Sequence, residues 1–304
     1  MTADPPPPVR PARLAVGVVS AGRVGSVLGA ALATAGHVVV ATSGVSDRSV
    51  RRAEELLPGV PLLPPDEVVR RADLVLLAVP DDALAGLVRG LAAANAFRAG
   101  QIVAHTCGAH GIGVLEPAAA AGVLPLALHP VMTFTGRSED VAKLTACGFG
   151  VTAADEIGWS VGEALVVEMG AEPVRVPEES RPLYHAALAH GANHLAVLAR
   201  DAADVLRAAG VNAPDRVLGP LLFAALDNAL RHGDRALTGP VARGDVDTVR
   251  AHLRVLDERL PEQAAAYRAL ARRTAARAAE AGLIGDAAAD EVRAVLRDNS
   301  DAQR

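Results

Sequence analysis

The stretch LAVGVVSAGRVGSVLGAALATAG, residues 14–36, decides the fold of this chain. Its first six residues, 14–19, are apolar and rich in valine, as is typical of a buried strand. The turn SAGRVG follows directly, and the sequence after it has the small and apolar residues of a closely packed helix. A strand, a glycine-containing turn and a helix in this order predict the first unit of a doubly wound α/β sheet.

The same turn matches most of the fingerprint G-x-G-x-x-G, which binds the pyrophosphate of a dinucleotide. Gly22 would let the backbone approach the phosphates, Gly25 would let the helix pack against the strand, and Ser20 replaces the first glycine. Backbone amides and the positive end of the helix dipole would then face the phosphates. We therefore predict a dinucleotide site here, against the alternative of a Rossmann sheet that has lost its ligand. Its residues are Ser20, Ala21, Gly22, Arg23, Val24 and Gly25.

The loop after the second predicted strand, 37–42, bears on the choice between NAD and NADP. An NAD site usually has a carboxylate here, about 20 residues beyond the glycines. This sequence has no acid before Asp47. The hydroxyls of Ser43 and Ser46 and the guanidinium of Arg48 suit the dianionic 2′-phosphate of NADP(H) instead. A solvated loop with a helix cap is the other interpretation, and both stay open.

The rest of the chain predicts two domains. Up to about residue 176, short runs of β-branched residues alternate with segments whose sequence is typical of helices. This alternation is typical of a parallel sheet with crossover helices. Further strands are expected at 74–79, 101–106, 124–129, 149–153 and 173–176. Beyond Pro177 the text is rich in Ala and Leu, with helices expected at about 180–209, 214–232, 246–257, 261–281 and 287–297. We divide the chain into a disordered proline-rich arm (1–12), a Rossmann domain (13–177) and an all-helical domain (178–298).

Polar residues stand at three strand ends, which in a doubly wound sheet face the ligand crevice. The end of strand 74–79 is expected beside the nicotinamide ribose of the cofactor, although Asp81 also suits a helix cap. The next two strand ends are expected to line the substrate site. The cofactor residues predicted from the first of these ends are Val79, Pro80 and Asp81. The substrate residues predicted from the other two are His105, Cys107, Gly108 and His129.

The first helix of the second domain carries His185 and Asn193. At 100° per residue they lie about 80° apart, so that an imidazole and an amide share one face. Carbonyl reduction needs a proton donor and a group that holds the developing oxyanion. His185 and Asn193 suit these two roles, while a packed or surface histidine is the plainer interpretation.

The connection LTGPVARGD, residues 237–245, also has two interpretations. It is either a plain loop with Asp245 as a helix cap, or a substrate loop that offers Thr238 and Arg243 to a carboxylate. Its glycines and polar residues fit both, so the choice stays open.

Composition limits the class of protein. A formal charge of -5 and a pI near 6.0 give no basic surface for nucleic acid. Two cysteines, Cys107 and Cys147, lack the spacing of a thiolate metal site, so we expect no metal. The start MTADPPPPVRP does not have the apolar segment expected of a signal peptide, and no stretch approaches the roughly 18 to 20 apolar residues that span a bilayer. We expect a cytoplasmic protein with a small-molecule substrate and with neither a nucleic-acid nor a membrane partner.

Several blocks together resemble a bacterial family with a Rossmann-like domain followed by a DUF2520 domain. These blocks are SAGRVG, AVPDDAL, HTCGAHG, LHPVMTF, RPLYHAALAHGANHL and ALTGPVARGD. The family is similar in layout to pyrroline-5-carboxylate reductases, ketopantoate reductases and 6-phosphogluconate-type dehydrogenases. The resemblance implies an NADP-dependent oxidoreductase with a helical dimerisation domain, and it implies His185 and Asn193 as site residues.

Three positions depart from the pattern of the family and its relatives. Ser20 replaces a glycine, Cys107 replaces a serine, and Ala189 stands where related hydroxyacid dehydrogenases carry a lysine. Without that lysine, His185 is the proton donor that we expect. We therefore predict an NADP(H)-dependent reductase of a small carboxylated carbonyl or imine compound, with a 2-oxo acid such as ketopantoate as the favoured substrate. The apolar second domain also predicts a homodimer. The alternative is a non-catalytic nucleotide-binding or sensing protein, and hydride exchange with a deazaflavin is a third hypothesis.

Overall fold

A seven-stranded sheet organises the first part of the chain. The computed structural model describes residues 13–297, so the arm predicted over 1–12 lies outside the described residues, as does 298–304. The strand order is β2-β1-β3-β4-β5-β6-β7, and β5 and β6 form the antiparallel pair in an otherwise parallel sheet. The strands are β1 Ala15–Val19, β2 Val38–Thr42, β3 Leu74–Leu77, β4 Ile102–His105, β5 Leu124–Pro130, β6 Gly148–Ala153 and β7 Glu172–Arg175.

Helices cover both faces of this sheet. Leu74 and Leu76 lie in one buried hydrophobic cluster and Val75 and Leu77 in the other, so β3 is apolar on both sides. The helices are α1 Arg23–Thr34, α2 Asp47–Leu56, α3 Pro65–Arg71, α4 Asp81–Ala93, α5 Glu116–Ala119, α6 Glu139–Lys143, α7 Glu156–Glu168 and α8 Arg181–Leu188. Short 3₁₀ helices lie at Ile112–Leu115, Leu144–Ala146 and Glu178–Ser180. The predicted doubly wound Rossmann fold is confirmed.

The helix predicted over about 180–209 is present, since the chain stays helical from Arg181 to Ala208, but it is not a uniform α-helix. A π-helical turn, Ala189–Asn193, separates α8 from α9, His194–Ala208. Gly191 lies inside that turn, and glycine is a poor residue for a regular α-helix. The angle of about 80° between His185 and Asn193 assumed uniform α-helical periodicity, so it does not apply across the wider π turn.

The last part of the described chain consists of helices joined by loops. Its remaining helices are α10 Pro214–His232, α11 Val246–Arg259, α12 Pro261–Glu280 and α13 Asp286–Val295, with a 3₁₀ helix at Gly233–Ala236. Residues from α11, α12 and α13 form its buried cluster, with Val249 and Val292 fully buried. No helix within residues 13–297 combines the length and the apolar character that a membrane crossing requires.

The chain divides into two compact units, with the boundary between His190 and Gly191. The change of composition at Pro177 lies earlier because α8, although its sequence is helical, packs on the sheet. The guanidinium of Arg181 in α8 is fully buried and donates to the carbonyls of Ala127 in β5 and Gly150 in β6. These bonds attach α8 to the sheet unit.

Candidate functional site

The turn after β1 has the backbone geometry that normally requires glycine. Ser20 has φ 78°, in the left-handed region that is costly for residues with a side chain. Two bonds from the end of β2 hold this turn. The Ser20 amide donates to Ser43 Oγ at 2.9 Å, and the Ala21 amide donates to the Ser43 carbonyl at 2.6 Å. Ser43 therefore fixes the shape of the turn through both its side chain and its backbone.

The start of α1 fits the pyrophosphate of a dinucleotide. Gly22 is the N-cap of α1, no side chain caps this end, and the first turn holds no acid. A Cβ built on Gly22 would meet only Ser20 Oγ, at 3.5 Å, so the backbone is open to an incoming group. A Cβ on Gly25 would lie 2.2 Å from the Ser20 carbonyl oxygen, which explains why helix and strand need glycine there. Free amides at a helix start are the usual ligands of phosphate.

The residues predicted for a 2′-phosphate have different surroundings. Ser46 is the N-cap of α2 and accepts from the amide of Ser49, which gives it the helix-cap role. Arg48 is exposed in the first turn of α2. Arg52 follows one turn later, and its Nε lies 2.7 Å from the position that a Cβ on Gly136 would take. Within residues 13–297 neither arginine makes a hydrogen bond or ion pair, so both guanidinium groups remain free for an anion.

The ends of β3 and β4 lie side by side. Pro80 is the N-cap of α4, and Asp81 is exposed in the first turn of that helix. Burial first, and then a hydrogen bond with Asp81, raise the pKa of the Cys107 thiol to about 12. Cys107 is therefore a neutral thiol beside Asp81, and not a reactive thiolate.

His105 has a structural role that the sequence did not indicate. Its ring is fully buried, with Nε2 bonded to the Gly111 carbonyl at 2.9 Å and Nδ1 accepting from the Cys107 amide at 3.2 Å. Burial lowers its pKa to about 4. Both ring nitrogens are therefore bonded within the loop, and the substrate role predicted for His105 stays a prediction.

Glu178 anchors the same loop from outside. Its carboxylate accepts from the amides of Ile112 and Gly113 at 2.7 and 2.9 Å. A Cβ on Gly111 would overlap this carboxylate, at 1.9 Å from Oε2. The segment HTCGAHG is thus held from both sides, which keeps Gly108 in a fixed place.

Three rings gather at Gly108, and we call His129, Tyr184 and His185 the ring cluster. A Cβ on Gly108 would lie 2.6 Å from His185 Cδ2 and 2.9 Å from His129 Nε2. His129 Nδ1 lies 2.9 Å from the Tyr184 hydroxyl oxygen. The His129 ring is edge-on to both neighbours, with centroid distances of 5.6 Å to Tyr184 and 6.0 Å to His185. Predicted residues His129, Gly108 and His185 are thus brought together.

A buried cation, Arg181, lies beside this cluster. Arg181 donates from Nε to Thr152 Oγ1 at 2.7 Å, while its Nη1 has no partner within residues 13–297. Burial first, and then the charges of Arg181 and His185, lower the pKa of His129 to about 4. Burial also raises the pKa of Tyr184. His129 is consequently a neutral imidazole at pH 7 and Tyr184 a neutral phenol.

Sequence reasoning missed four residues that shape this site: Glu178, Arg181, Tyr184 and Asp140. The buried carboxylate of Asp140 accepts from Thr135 and Gly136 in the loop after β5. Burial raises its pKa, but bonds from Gly136 and Thr135 outweigh this and lower the pKa to about 2. Tyr184 adjoins His185 in the sequence, which was a usable signal, whereas no local pattern distinguishes Arg181 from a surface arginine.

The other predicted residues belong to the second unit. Asn193 is exposed in the π turn, and Thr238 and Arg243 are exposed in their loop. Asp245 caps α11 by accepting from the Thr248 amide at 3.1 Å, as the plain-loop interpretation requires. The roles of Asn193, Thr238 and Arg243 toward a substrate stay predictions.

Comparison with known domains confirms the resemblance drawn from the sequence. Residues 1–130 match the Rossmann-like domain, and residues 147–274 match the domain of unknown function DUF2520. The chain matches no curated protein.

Solved structures share the fold over most of their length. The protein BF3122 of Bacteroides fragilis, provisionally assigned as an NADP oxidoreductase, is 21% identical with a TM-score of 0.71, over 86% of this chain and 98% of that one. The protein TM1727 of Thermotoga maritima is 18% identical with a TM-score of 0.63, over 88% and 99%. A pyrroline carboxylate reductase of Plasmodium falciparum, solved with NADP bound, is 12% identical with a TM-score of 0.56, over 93% and 98%. At these identities the likeness shows the fold.

Proposed function

For a chain that joins a Rossmann-like domain to a DUF2520 domain, we propose an NADP(H)-dependent oxidoreductase. Its substrate is a small carboxylated carbonyl or imine compound, with a 2-oxo acid such as ketopantoate as the first choice. Solved neighbours that are NADP oxidoreductases or hold NADP support the cofactor.

One observation carries this proposal: two kinds of site share one edge of the sheet. The turn at Gly22 follows β1, and the ring cluster lies at the ends of β4 and β5 with His129 and Gly108. Because β1, β3, β4 and β5 are parallel neighbours, their carboxyl ends meet at the same edge. A dinucleotide that starts at the turn therefore extends toward the cluster.

The residues of the chain divide the work of binding. Amides at the start of α1 hold the pyrophosphate, and Gly22 permits its close approach. Arg48 and Arg52, both free on α2, hold the 2′-phosphate of NADP(H). Ser43 supports the turn from the end of β2.

The chemistry requires a proton and a fixed carbonyl. Bound NADPH supplies the hydride. His185 donates the proton. The roles predicted for Asn193, in orienting the carbonyl, and for Thr238 and Arg243, in holding a carboxylate, stay predictions. The carbonyl carbon gains hydrogen from the cofactor and the oxygen gains the proton, which yields an alcohol. An imine is reduced to an amine in the same way.

Two copies of the chain form a dimer through α9 and α10. Of the 19 residues of α10 only Pro214 is buried. The large apolar side chains of these helices stay exposed, and a lone subunit would leave this surface in water. The most exposed are Leu230 79%, Phe223 77%, Leu221 62% and Val197 59%. A second copy of the same pair of helices offers a surface of matching apolar character.

Light scattering of the purified protein tests the dimer. We expect twice the subunit mass for the wild type and a single subunit for Phe223→Glu. Ile157→Glu is the control, since Ile157 is 72% exposed on α7, a helix of the sheet unit. A monomeric wild type contradicts the dimer.

Turnover of NADPH tests the enzymatic proposal. The purified protein is mixed with NADPH and with ketopantoate, other 2-oxo acids or cyclic imines, and NADPH loss is followed by absorbance. We expect consumption with at least one carboxylated probe and a clear preference for NADPH over NADH. Tight NADPH binding without any turnover, and without a change in His185→Ala, would favour the sensing alternative instead.

A further inference from the structure

We propose that His129 donates a hydrogen bond from Nε2 to the substrate's carbonyl oxygen, and that Tyr184 is the positioning residue that fixes this tautomer. The inference rests on the proposed function and names a second group that acts on the same oxygen as the proton donor. It begins from the contact between His129 Nδ1 and the Tyr184 hydroxyl at 2.9 Å.

The phenol must be the donor in that contact. A half-buried hydroxyl hydrogen is costly to leave unbonded, and His129 Nδ1 is the acceptor that the described residues offer it. A phenol is also a better donor than a neutral imidazole, and imidazole nitrogen is the better acceptor. Nδ1 therefore has no proton, and the one proton of the neutral ring is on Nε2.

His129 Nε2 and the His185 ring both lie close to Gly108. A Cβ on Gly108 would lie 2.9 Å from His129 Nε2 and 2.6 Å from His185 Cδ2, so only glycine lets both rings come this near to the backbone. Two imidazole edges thus lie together at the ends of β4 and β5, the edge of the sheet toward which the dinucleotide extends. A carbonyl oxygen that reaches this edge would receive a hydrogen bond from His129 and a proton from His185.

The surroundings keep His129 neutral over the working range of an enzyme. Arg181 and His185 of α8 disfavour a charge on His129, Asp81 at the start of α4 favours it, and burial outweighs all three. The result is a pKa of about 4. A neutral imidazole polarises a carbonyl without losing its own proton, because the imidazolate that would result is far too basic. The proton that ends on the alcohol oxygen therefore comes from His185, and the hydride from NADPH goes to carbon.

The chain contains a matched control for this pair. His252 on α11 and Tyr267 on α12 form the same kind of contact, with 3.0 Å between Nδ1 and the hydroxyl oxygen and with edge-on rings. That pair belongs to the second unit and has no role in the proposal.

Nitrogen NMR of the full-length protein labelled at histidine tests the tautomer without any turnover. The His129 signal is identified by its loss in His129→Gln. We expect the Nε2–H form at pH 7, exchange between both tautomers in Tyr184→Phe, and no change in Tyr267→Phe. A wild-type His129 protonated at Nδ1 would overturn the inference.

Kinetics with a 2-oxo acid that the wild type reduces tests the role. We expect His129→Ala to lower kcat at least tenfold with an unchanged Kd for NADPH, and His129→Gln, which keeps an N–H, to recover part of the loss. Tyr184→Phe should lower kcat less, and Tyr267→Phe should not lower it. An unchanged kcat in His129→Ala overturns this inference alone, whereas a wild type that binds NADPH and reduces no probe contradicts the proposed function.

Discussion

Two histidine–tyrosine pairs of almost the same geometry occur in the two units of this protein. His129 and Tyr184 are joined at 2.9 Å with rings at 87°, and His252 and Tyr267 at 3.0 Å with rings at 84°. The first pair is half-buried beside Arg181, while the hydroxyl bond of the second is exposed. The comparison teaches that the pair itself does not define a site. In the first unit the site is defined by burial, by a nearby cation and by the close approach of two rings to Gly108.

Acid unfolding should separate the two pairs most strongly. The pKa of about 4 for His129 lies below the unfolded value of about 6.5, so the unfolded chain binds more protons between these values. The free energy of unfolding must therefore fall as pH falls through this window. We expect His129→Gln to lose about 2 kcal/mol less than the wild type between pH 7 and 4.5, by denaturant titration. His252→Gln should behave as the wild type, and equal losses in all three proteins would contradict the assignment.

A side chain at position 108 should displace the rings of His129 and His185 and so lower the activity. In Gly108→Ala the new methyl group overlaps His185 Cδ2 and His129 Nε2, at 2.6 and 2.9 Å, so both rings must shift. A misplacement of about 1 Å can cost on the order of a hundredfold in rate. We expect a loss of kcat of this size with an unchanged Kd for NADPH. Gly90→Ala on α4, where a Cβ meets nothing within 4 Å, is the control. Full activity in Gly108→Ala would show that the rings do not act on the substrate.

Removing the buried cation of Arg181 should lower the free energy of unfolding more than removing an exposed arginine of the same unit. Arg181→Gln leaves the carbonyls of Ala127 and Gly150 without their donors, which costs roughly 2 kcal/mol of unfolding free energy. Arg175 pairs with Glu156 in the exposed part of the same unit, so Arg175→Gln should cost less than Arg181→Gln. Denaturant unfolding of both variants checks the order. A smaller loss for Arg181 would contradict its structural role.

The sequence was sufficient for the fold because its signals are local. The apolar run of β1, the SAGRVG turn and the change to Ala-rich text each occupy a short window, and the strands lie close to their predicted bounds. The pairing of His129 with Tyr184 joins residues 55 apart along the chain, so no window contains it. His105 shows the same limit, because its place at a strand end was predicted but its buried bonds to Gly111 were not. The π turn was missed because periodicity assumes a uniform helix.

Variants of Arg48 and Arg52 should distinguish NADPH from NADH as the cofactor, through a smaller effect on binding. Arg48 and Arg52 lie one turn apart on α2 and are both free of ion pairs within residues 13–297. We expect each change to alanine to weaken NADPH binding about fivefold to tenfold and to leave NADH binding nearly unchanged, because only NADPH has the 2′-phosphate. Arg89→Ala on α4 is the control. An equal loss for both nucleotides would place these side chains elsewhere.

The most direct measurement is the binding of NADPH to the wild type and to Gly22→Ala, by calorimetry. A Cβ on Gly22 meets only Ser20 Oγ at 3.5 Å, so the variant should fold normally while its methyl group keeps the pyrophosphate away from the backbone. The account predicts binding by the wild type, at least tenfold weaker binding by Gly22→Ala, and wild-type affinity in Gly86→Ala on α4. A wild type without affinity for NADPH, or a Gly22→Ala protein that binds as tightly as the wild type, would contradict it.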